Sequence, residues 1–518
     1  MKEFNVTGVC MPEENYMVDI TEKLKQIRAM VNRKQYFTIN RGRQYGKTTT
    51  LVHLKKFLAD DYQVISLNFQ GFGEEEFQNS EAFCQEFLTS ITHYLDMVDC
   101  PEDWTNPAVK TFSQLSRHLT KMCKGKKVVL LIDEVDAASN HRVFLYFLGL
   151  LRTKFLSRQA GTDFTFHSVI LAGVYDIKNI KRKMIQEGNH QLSSGEKQLN
   201  SPWNIAADFK VDMSFSIQEI EGMLREYEAD HQLEIDSEAM AREIHSYTNG
   251  YPVLVSKICW YLDTILKTWM VQSVGEAVRL VVRETDNEIF KSLSQNLENN
   301  DGVRDLLYEV LILGEKRAFS TVNPSVDLAY RYNYIEENTG RVKISNKIFE
   351  MAMTQYFISK DEENGIAPAG AGYIAEITRH GTFNMELCLE RFLVHWHEIY
   401  AEKDADFLER QCRIIFLTYL RPILNGVGFS FIETAFTDDR RMDLVVVYNK
   451  QRFVLELKIW KGALYNEQGV NQLLGYMEKL GEKDGYLLTF DFRKNPEPSL
   501  PAWRQVGESR VFEARICG

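Results

Sequence analysis

The sequence predicts an α/β protein in two parts: a parallel sheet covered by helices on both faces, then a smaller C-terminal α/β domain. Three stretches predict it. The alternating apolar run Tyr36–Phe37–Thr38–Ile39 passes through RGRQYGKTTT (Arg41 to Thr50) into the helical pattern Leu51, Val52, Leu54, Phe57, Leu58. KVVLLIDEVD (Lys127 to Asp136) is a continuous apolar run ending in acids, the pattern of a buried parallel strand whose C-terminal edge meets a ligand crevice. RMDLVVVYNKQRFVLELKIW (Arg441 to Trp460) holds two alternating runs about Asn449–Lys450 and reads as a hairpin.

The first stretch carries chemistry. Gly-Lys-Thr at a strand-to-helix junction turns backbone N–H groups and the positive end of a helix dipole toward an anion. In such a loop Lys47 reaches the β- and γ-phosphates and the Thr48 hydroxyl ligates Mg²⁺, with Gly46 and Thr49 beside them. The full pattern is G-x-x-x-x-G-K-[ST]. Its first glycine is missing, because Arg41 stands there and Gly42 follows one place later. In the second stretch Asp133 is placed to hold Mg²⁺ through water and Glu134 to polarise an attacking water. Together and in this order, the two motifs imply ATP binding. The N-terminal half resembles an AAA-type ATPase, specifically the AAA-like group related to signal-transduction and origin-recognition ATPases.

The remaining elements follow in order. Tyr16–Val31 predicts a strand and a first helix, and Asp60–Gln70 a second strand. Phe77–Leu95 has apolar residues at helical spacing, with Ser80 as the cap before Glu81. Pro101–Pro107 is a loop, Val109–Met122 a helix, and Val143–Phe155 another. TFHSVILAGVYD (Thr165 to Asp176) is a further buried strand. The resemblance puts the end of this strand at the sensor position beside the γ-phosphate. The usual asparagine is absent, leaving Asp176 or a backbone group. Lys181, Arg182 and Lys183 hold a candidate finger toward a neighbouring subunit, although a solvated basic turn is the simpler reading. Ile217–Leu266 is helical and broken at TNGYP (Thr248 to Pro252). By resemblance this is a lid with Pro252 against the adenine, and otherwise a helix–turn–helix corner. Leu306–Tyr356 has the cadence of a winged helix, with the hairpin YIEENTGRVKIS (Tyr334 to Ser345). DEENGIAPAGAG (Asp361 to Gly372) reads as a linker. The expected domains are 1–215 (ATPase core), 216–298 (lid), 299–360 (winged helix), 361–380 (linker) and 381–518 (C-terminal domain).

In that last domain Phe383–His397 and Ala405–Leu420 read as helices and Phe429–Thr434 as a short strand. In the hairpin, Glu456, Lys458 and Trp460 share one face. A turn centred on Asn449–Lys450 sets Asp443 opposite Glu456, with Cβ atoms ~5 Å apart. Two carboxylates with a lysine beside them suit a divalent cation and a water-activating charge, and oxygen ligands favour Mg²⁺ or Mn²⁺. The order D…E-x-K, with Gln472 on the following helix (Val470–Leu480), resembles the PD-(D/E)XK nuclease superfamily. The resemblance implies that Asp443 and Glu456 hold metal and that Lys458 positions or deprotonates the water. It further implies that Gln472 is the helix glutamine and that Glu409 or Glu433 completes the site. Arg440-Arg441 replaces the usual Gly-Arg. A surface hairpin with an ordinary Glu–Lys pair is the simpler alternative.

Composition narrows the class. With 44% hydrophobic and 26% charged residues, the 518-residue chain has the make-up of a soluble globular protein of several domains. No apolar run approaches the ~20 residues needed to span a bilayer, and MKEFNVTGVC lacks a signal-peptide core. Eight cysteines without C-x-x-C spacing imply reduced thiols and a cytoplasmic location. A net charge of −11 argues against a non-specific nucleic-acid coat but leaves room for a local basic groove. The two resemblances cover nearly the whole chain. They imply an ATPase controlling a metal-dependent nuclease that acts on DNA, in defence or mobile-element biology, with homo-oligomers possible. The alternative is a nucleotide-switched regulatory or scaffolding ATPase whose C-terminal domain binds nucleic acid or a partner without cutting.

Overall fold

The computed structural model describes residues 2–98, 108–139, 141–174, 202–284, 287–312, 315–363, 374, 376–400, 405–424, 428–431, 444–449, 451–493, 496 and 499–517. The chain divides into two compact units. The first holds 1–241, 250–260 and 331–333, and the second the remainder.

The first unit is built on four parallel strands: β1 (Tyr36–Asn40), β2 (Gln63–Asn68), β3 (Val128–Asp133) and β4 (Ser168–Gly173), in the order β1-β4-β3-β2. β3 and β4 are buried along their whole length, which explains why both read as unbroken apolar runs. Ala207 adds a single parallel bridge to Phe37 on the outer side of β1. Helices Lys47–Leu58, Ser80–Met97, Phe112–Cys123 and Arg142–Gln159 connect and cover the strands. Phe69, Phe83, Phe87, Phe144 and Phe147 form one contiguous aromatic core, with ring centroids about 5–6 Å apart.

Local chemistry accounts for most boundaries and corrects two expectations. The long helix from Ser80 is capped by Asn79, whose side chain accepts from the Ala82 N–H at 2.9 Å, rather than by Ser80. No strand forms at Tyr16. That segment runs as loop into the helix Thr21–Asn32. The segment expected to form a lid is helical over Ile217–His231, Ser237–Thr248 and Pro252–Trp260, with a Ser216–Glu219 capping box at its start. Asn249 and Gly250, at φ 46° and 70°, turn the chain between the last two helices.

The second unit contains the expected small hairpin, β5 (Ile335–Asn338) with β6 (Arg341–Ile344), between helices Pro324–Arg331 and Lys347–Glu363. Its C-terminal part is a six-stranded mixed sheet. β7 (Gly428–Phe431), β8 (Leu444–Tyr448) and β9 (Gln451–Ile459) run antiparallel. The helix Ala463–Leu480 then carries the chain back to β10 (Asp484–Asp491), parallel to β9. β12 (Ser509–Cys517) is parallel to β10, and β11 (Ala502–Val506) closes the edge. The hairpin register pairs Leu444 with Leu455 and Tyr448 with Gln451, as a turn centred on Asn449–Lys450 requires. The loop 101–107, Asp176, Lys181–Lys183, Glu433, Arg440, Arg441, Asp443 and most of the linker lie outside the described residues. Glu409 falls in the helix Ala405–Leu424, its side chain likewise outside.

His167, just before β4, is pushed down from 6.5 to about 4, chiefly by burial and then by the Arg158 guanidinium. The folded state therefore holds fewer protons here than the unfolded chain between those values, and stability must fall as pH drops through that window. Thermal melts from pH 7 to 4 should show a shallower loss for His167→Gln than for wild type; parallel curves would contradict this.

Candidate functional site

The loop Arg41–Gly46 joins β1 to the helix that opens at Lys47. Gln44 (φ 55°) and Gly46 (φ 78°) take left-handed conformations that turn the chain into the helix. Gly42, one place after the position of the missing glycine, is closely packed. A Cβ on it would meet the Tyr332 carbonyl oxygen at 2.8 Å, and its N–H donates to Asn333 Oδ1 at 2.9 Å. Tyr251 braces the other side, its hydroxyl donating to the Arg43 carbonyl at 2.6 Å and its ring meeting Tyr45 edge-on.

Lys47 is buried, and its ammonium donates to the Arg41 and Gly42 carbonyls at 3.0 and 2.9 Å. Burial lowers its pKa, while Asp136, Glu134 and Asp133 pull the other way. At the C-terminal edge of the sheet Thr48 Oγ1 donates to Asp133 Oδ2 at 2.7 Å. Glu134 takes a left-handed backbone (φ 51°), and its N–H donates to Asp133 Oδ1 at 2.9 Å. Burial raises the Glu134 carboxyl from its ordinary value, against the opposing pull of Lys47, and a carboxylate so shifted is a stronger base. Asp136 Oδ2 accepts from the Val174 N–H at 2.6 Å, tying β3 to the end of β4.

Beside the loop lies a cavity of about 130 Å³. Gly46 and Thr49 form its polar end; Val18, Ile20, Met223 and Pro252 are among its apolar walls. Thr49 Oγ1 accepts from the Cys10 N–H at 3.3 Å. The expected residues Gly46, Thr49 and Pro252 are thus brought together, and Lys47, Thr48, Asp133 and Glu134 adjoin them. Sequence reasoning missed the segment Asn5–Cys10, which lines the same cavity. Its residues show no periodicity and belong to no regular element. It also missed Tyr332 and Asn333, which no local pattern ties to Gly42.

In the C-terminal sheet Glu456 is fully buried, and Lys458 Nζ lies 2.8 Å from its Oε1. Gly469 lets the helix Ala463–Leu480 close on this pair, since a Cβ there would meet Lys458 Cγ at 3.2 Å. Gln472 follows on the same helix face, its Oε1 buried with no hydrogen-bond partner among the described residues. No group of three or more His, Cys, Asp or Glu suited to a metal occurs among the described residues. Nor is any described helix long and apolar enough to cross a membrane.

Gly42→Val should cost about 1–3 kcal/mol of stability, because the contacting atom is backbone and cannot swing away. Denaturant unfolding would measure it, and an unchanged midpoint would refute the close contact.

Comparisons place these features among known proteins. No curated protein matches the chain. Among solved structures, the Walker-type ATPase PABY2304 of Pyrococcus abyssi aligns over 68% of this chain and 99% of its own, at 13% identity and TM-score 0.48. Cdc6p of Pyrobaculum aerophilum aligns over 69% and 97%, at 14% identity and TM-score 0.31. The RuvB branch migration motor of Thermotoga maritima aligns over 63% and 92%, at 14% identity and TM-score 0.30. A family model described as an AAA-like domain matches residues 13–272. That span is half of the 518 residues, it contains both the Lys47 loop and the Asp133 strand end, and the chain belongs to the AAA-like domain family.

Proposed function

We propose that the protein binds and hydrolyses ATP at the Lys47 loop, and that nucleotide state controls a metal-dependent nuclease centre in the C-terminal domain. The observation that carries the first part is the 2.7 Å contact between Thr48 and Asp133, beside a buried lysine. A hydroxyl and a carboxylate converging there form an oxygen-rich point that fits Mg²⁺. When bound, the ion supplies positive charge to the phosphate oxygens. Lys47 exchanges its loop carbonyls for the β- and γ-phosphates, and the amides at the helix start face the same anion. Glu134 takes a proton from the attacking water at its carboxylate. Gly46, Thr49 and Pro252 border the place for the base, whose flat apolar faces match the cavity walls.

The second part draws on the buried Glu456–Lys458 pair. A fully buried carboxylate with its lysine is expensive to desolvate and returns little net stability, so its placement favours a chemical role. The sequence expectation pairs Asp443 with Glu456, which would give the two oxygen donors a divalent cation needs. In this reading Asp443 and Glu456 hold Mg²⁺ or Mn²⁺. Lys458 holds or deprotonates the water that attacks a DNA phosphodiester, and Gln472 orients it. The competing reading, a nucleotide-switched domain that binds without cutting, is favoured by the direct pairing of Glu456 with Lys458.

Lys47→Ala should abolish ATP binding measured by calorimetry while leaving the circular dichroism spectrum unchanged; retained affinity would remove the loop from the site. Glu134→Gln should slow hydrolysis by roughly 10²–10⁴-fold with binding intact, and a wild-type rate would assign the base elsewhere. Mg²⁺-dependent cleavage should appear in wild type and vanish in Glu456→Ala and Lys458→Ala. Absence of cleavage on every DNA and RNA topology would select the binding-only reading.

A further inference from the structure

We propose that the C-terminal ends of β9, β10 and β12 form a shelf for an unpaired nucleic-acid strand, in which Arg515 grips a backbone phosphate beside Lys458. The proposal rests on reading the Glu456–Lys458 pair as a cutting centre, and it names the form of substrate that centre receives.

The ladder places the groups. Lys458 pairs across β9–β10 with Thr489, and Thr489 pairs across β10–β12 with Arg515. Directly paired residues on neighbouring strands point to the same face, so the three side chains form one row. Two strand spacings separate Lys458 from Arg515 along it, about 10 Å. Thr489 Oγ1 donates to Oδ1 of Asn466, in the first turn of the following helix, at 3.1 Å; Thr489 is buried beneath that turn, while Lys458 and Arg515 on either side of it are partly exposed.

The cations on this shelf differ in what they have left to give. Arg493 is committed to the buried Asp491, with its Nε at 2.9 Å from one carboxylate oxygen and Nη2 at 2.7 Å from the other. Arg504 is committed to Glu467 and Glu513. Arg515 has no ion-pair partner among the described residues. Its guanidinium lies over the Trp460 ring, 3.9 Å from the centroid, with Arg493 over the same ring at 5.1 Å. A guanidinium stacked on an indole is held in one orientation while its in-plane N–H donors stay available. That is the preorganised fork that suits a phosphate. Trp460 is thus a positioning residue for Arg515.

The same end of the domain exposes apolar surface that the fold has no use for. Leu464 is 85% exposed and Tyr465 38%, both in the helical turn that follows Trp460, with Lys458 Nζ 5.6 Å from the Tyr465 ring. An aromatic and an aliphatic side chain beside a fixed guanidinium offer faces to unstacked bases, and a paired base inside a duplex presents no such face.

The test measures fluorescence anisotropy of labelled single-stranded DNA, single-stranded RNA and duplex DNA with the full chain in EDTA, so that no strand is cut. Binding of either single strand should weaken about ten-fold in Arg515→Ala and in Trp460→Ala. The slope of log K against log salt should fall by roughly one in Arg515→Ala. Arg515→Lys, which keeps the charge, should restore the slope but not the affinity. Cooperative thermal unfolding of each variant, followed by far-ultraviolet circular dichroism, confirms folding. No binding to any strand, tighter binding to duplex than to both single strands, or wild-type affinity and slope in Arg515→Ala would each overturn the shelf. Arg515-dependent binding without Mg²⁺-dependent cutting would leave the shelf standing and remove the cutting centre. Cutting with an unchanged KM in Arg515→Ala would do the reverse.

Discussion

The hydrogen bond from Thr48 to Asp133 is the constraint on which the N-terminal unit turns. The two residues are 85 positions apart and belong to motifs that mean little separately. They meet because β1 and β3 are parallel members of one sheet, so the loop after one strand and the acidic end of the other open on the same edge. A bond to an ionised partner contributes about 1.5–3 kcal/mol, and it holds the first helical turn against the sheet. The order β1-β4-β3-β2 leaves β4 between them, and Asp136 secures that intervening strand by accepting from Val174.

Much of this was legible in the residues because it depends on local chemistry. Val128–Asp133 and Ser168–Gly173 are covered on both faces, so they had to read as unbroken apolar runs, and they did. The hairpin register followed from alternation plus the position of Asn449, whose φ of 53° suits a tight turn. What escaped was whatever depends on distant partners. Asn79 and Ser80 are both competent caps, and only the start of the helix decides between them. Asp484–Asp491, Ala502–Val506 and Ser509–Cys517 were not anticipated as strands, although the first is buried along nearly its whole length. The cavity wall from Asn5 to Cys10 has no period to detect. Gly42 looked like a displaced motif residue, whereas its smallness is demanded by a carbonyl nearly three hundred residues away.

The two units spend buried charge differently. In the first, Lys47 is surrounded by backbone carbonyls and flanked by Glu134, Asp133 and Asp136, a cation held among several acceptors. In the second, Glu456 and Lys458 answer each other directly within one strand. The former arrangement can exchange partners without stranding a charge in a dry environment; the latter cannot lose either member without leaving the other exposed to the full cost of burial, about 3–5 kcal/mol.

The acceptor for the Gly42 amide also bears on how the chain is made. Asn333 lies 291 residues downstream, and at typical ribosomal speeds about 15–60 s separate the synthesis of the two. The sheet can assemble as soon as β4 has left the ribosome, but the loop Arg41–Gly46 lacks its final brace until the segment Arg331–Asn333 arrives. A nascent chain therefore passes through a stage with a formed core and an unfinished loop. Nucleotide captured during that interval would meet a looser cradle than the finished protein offers.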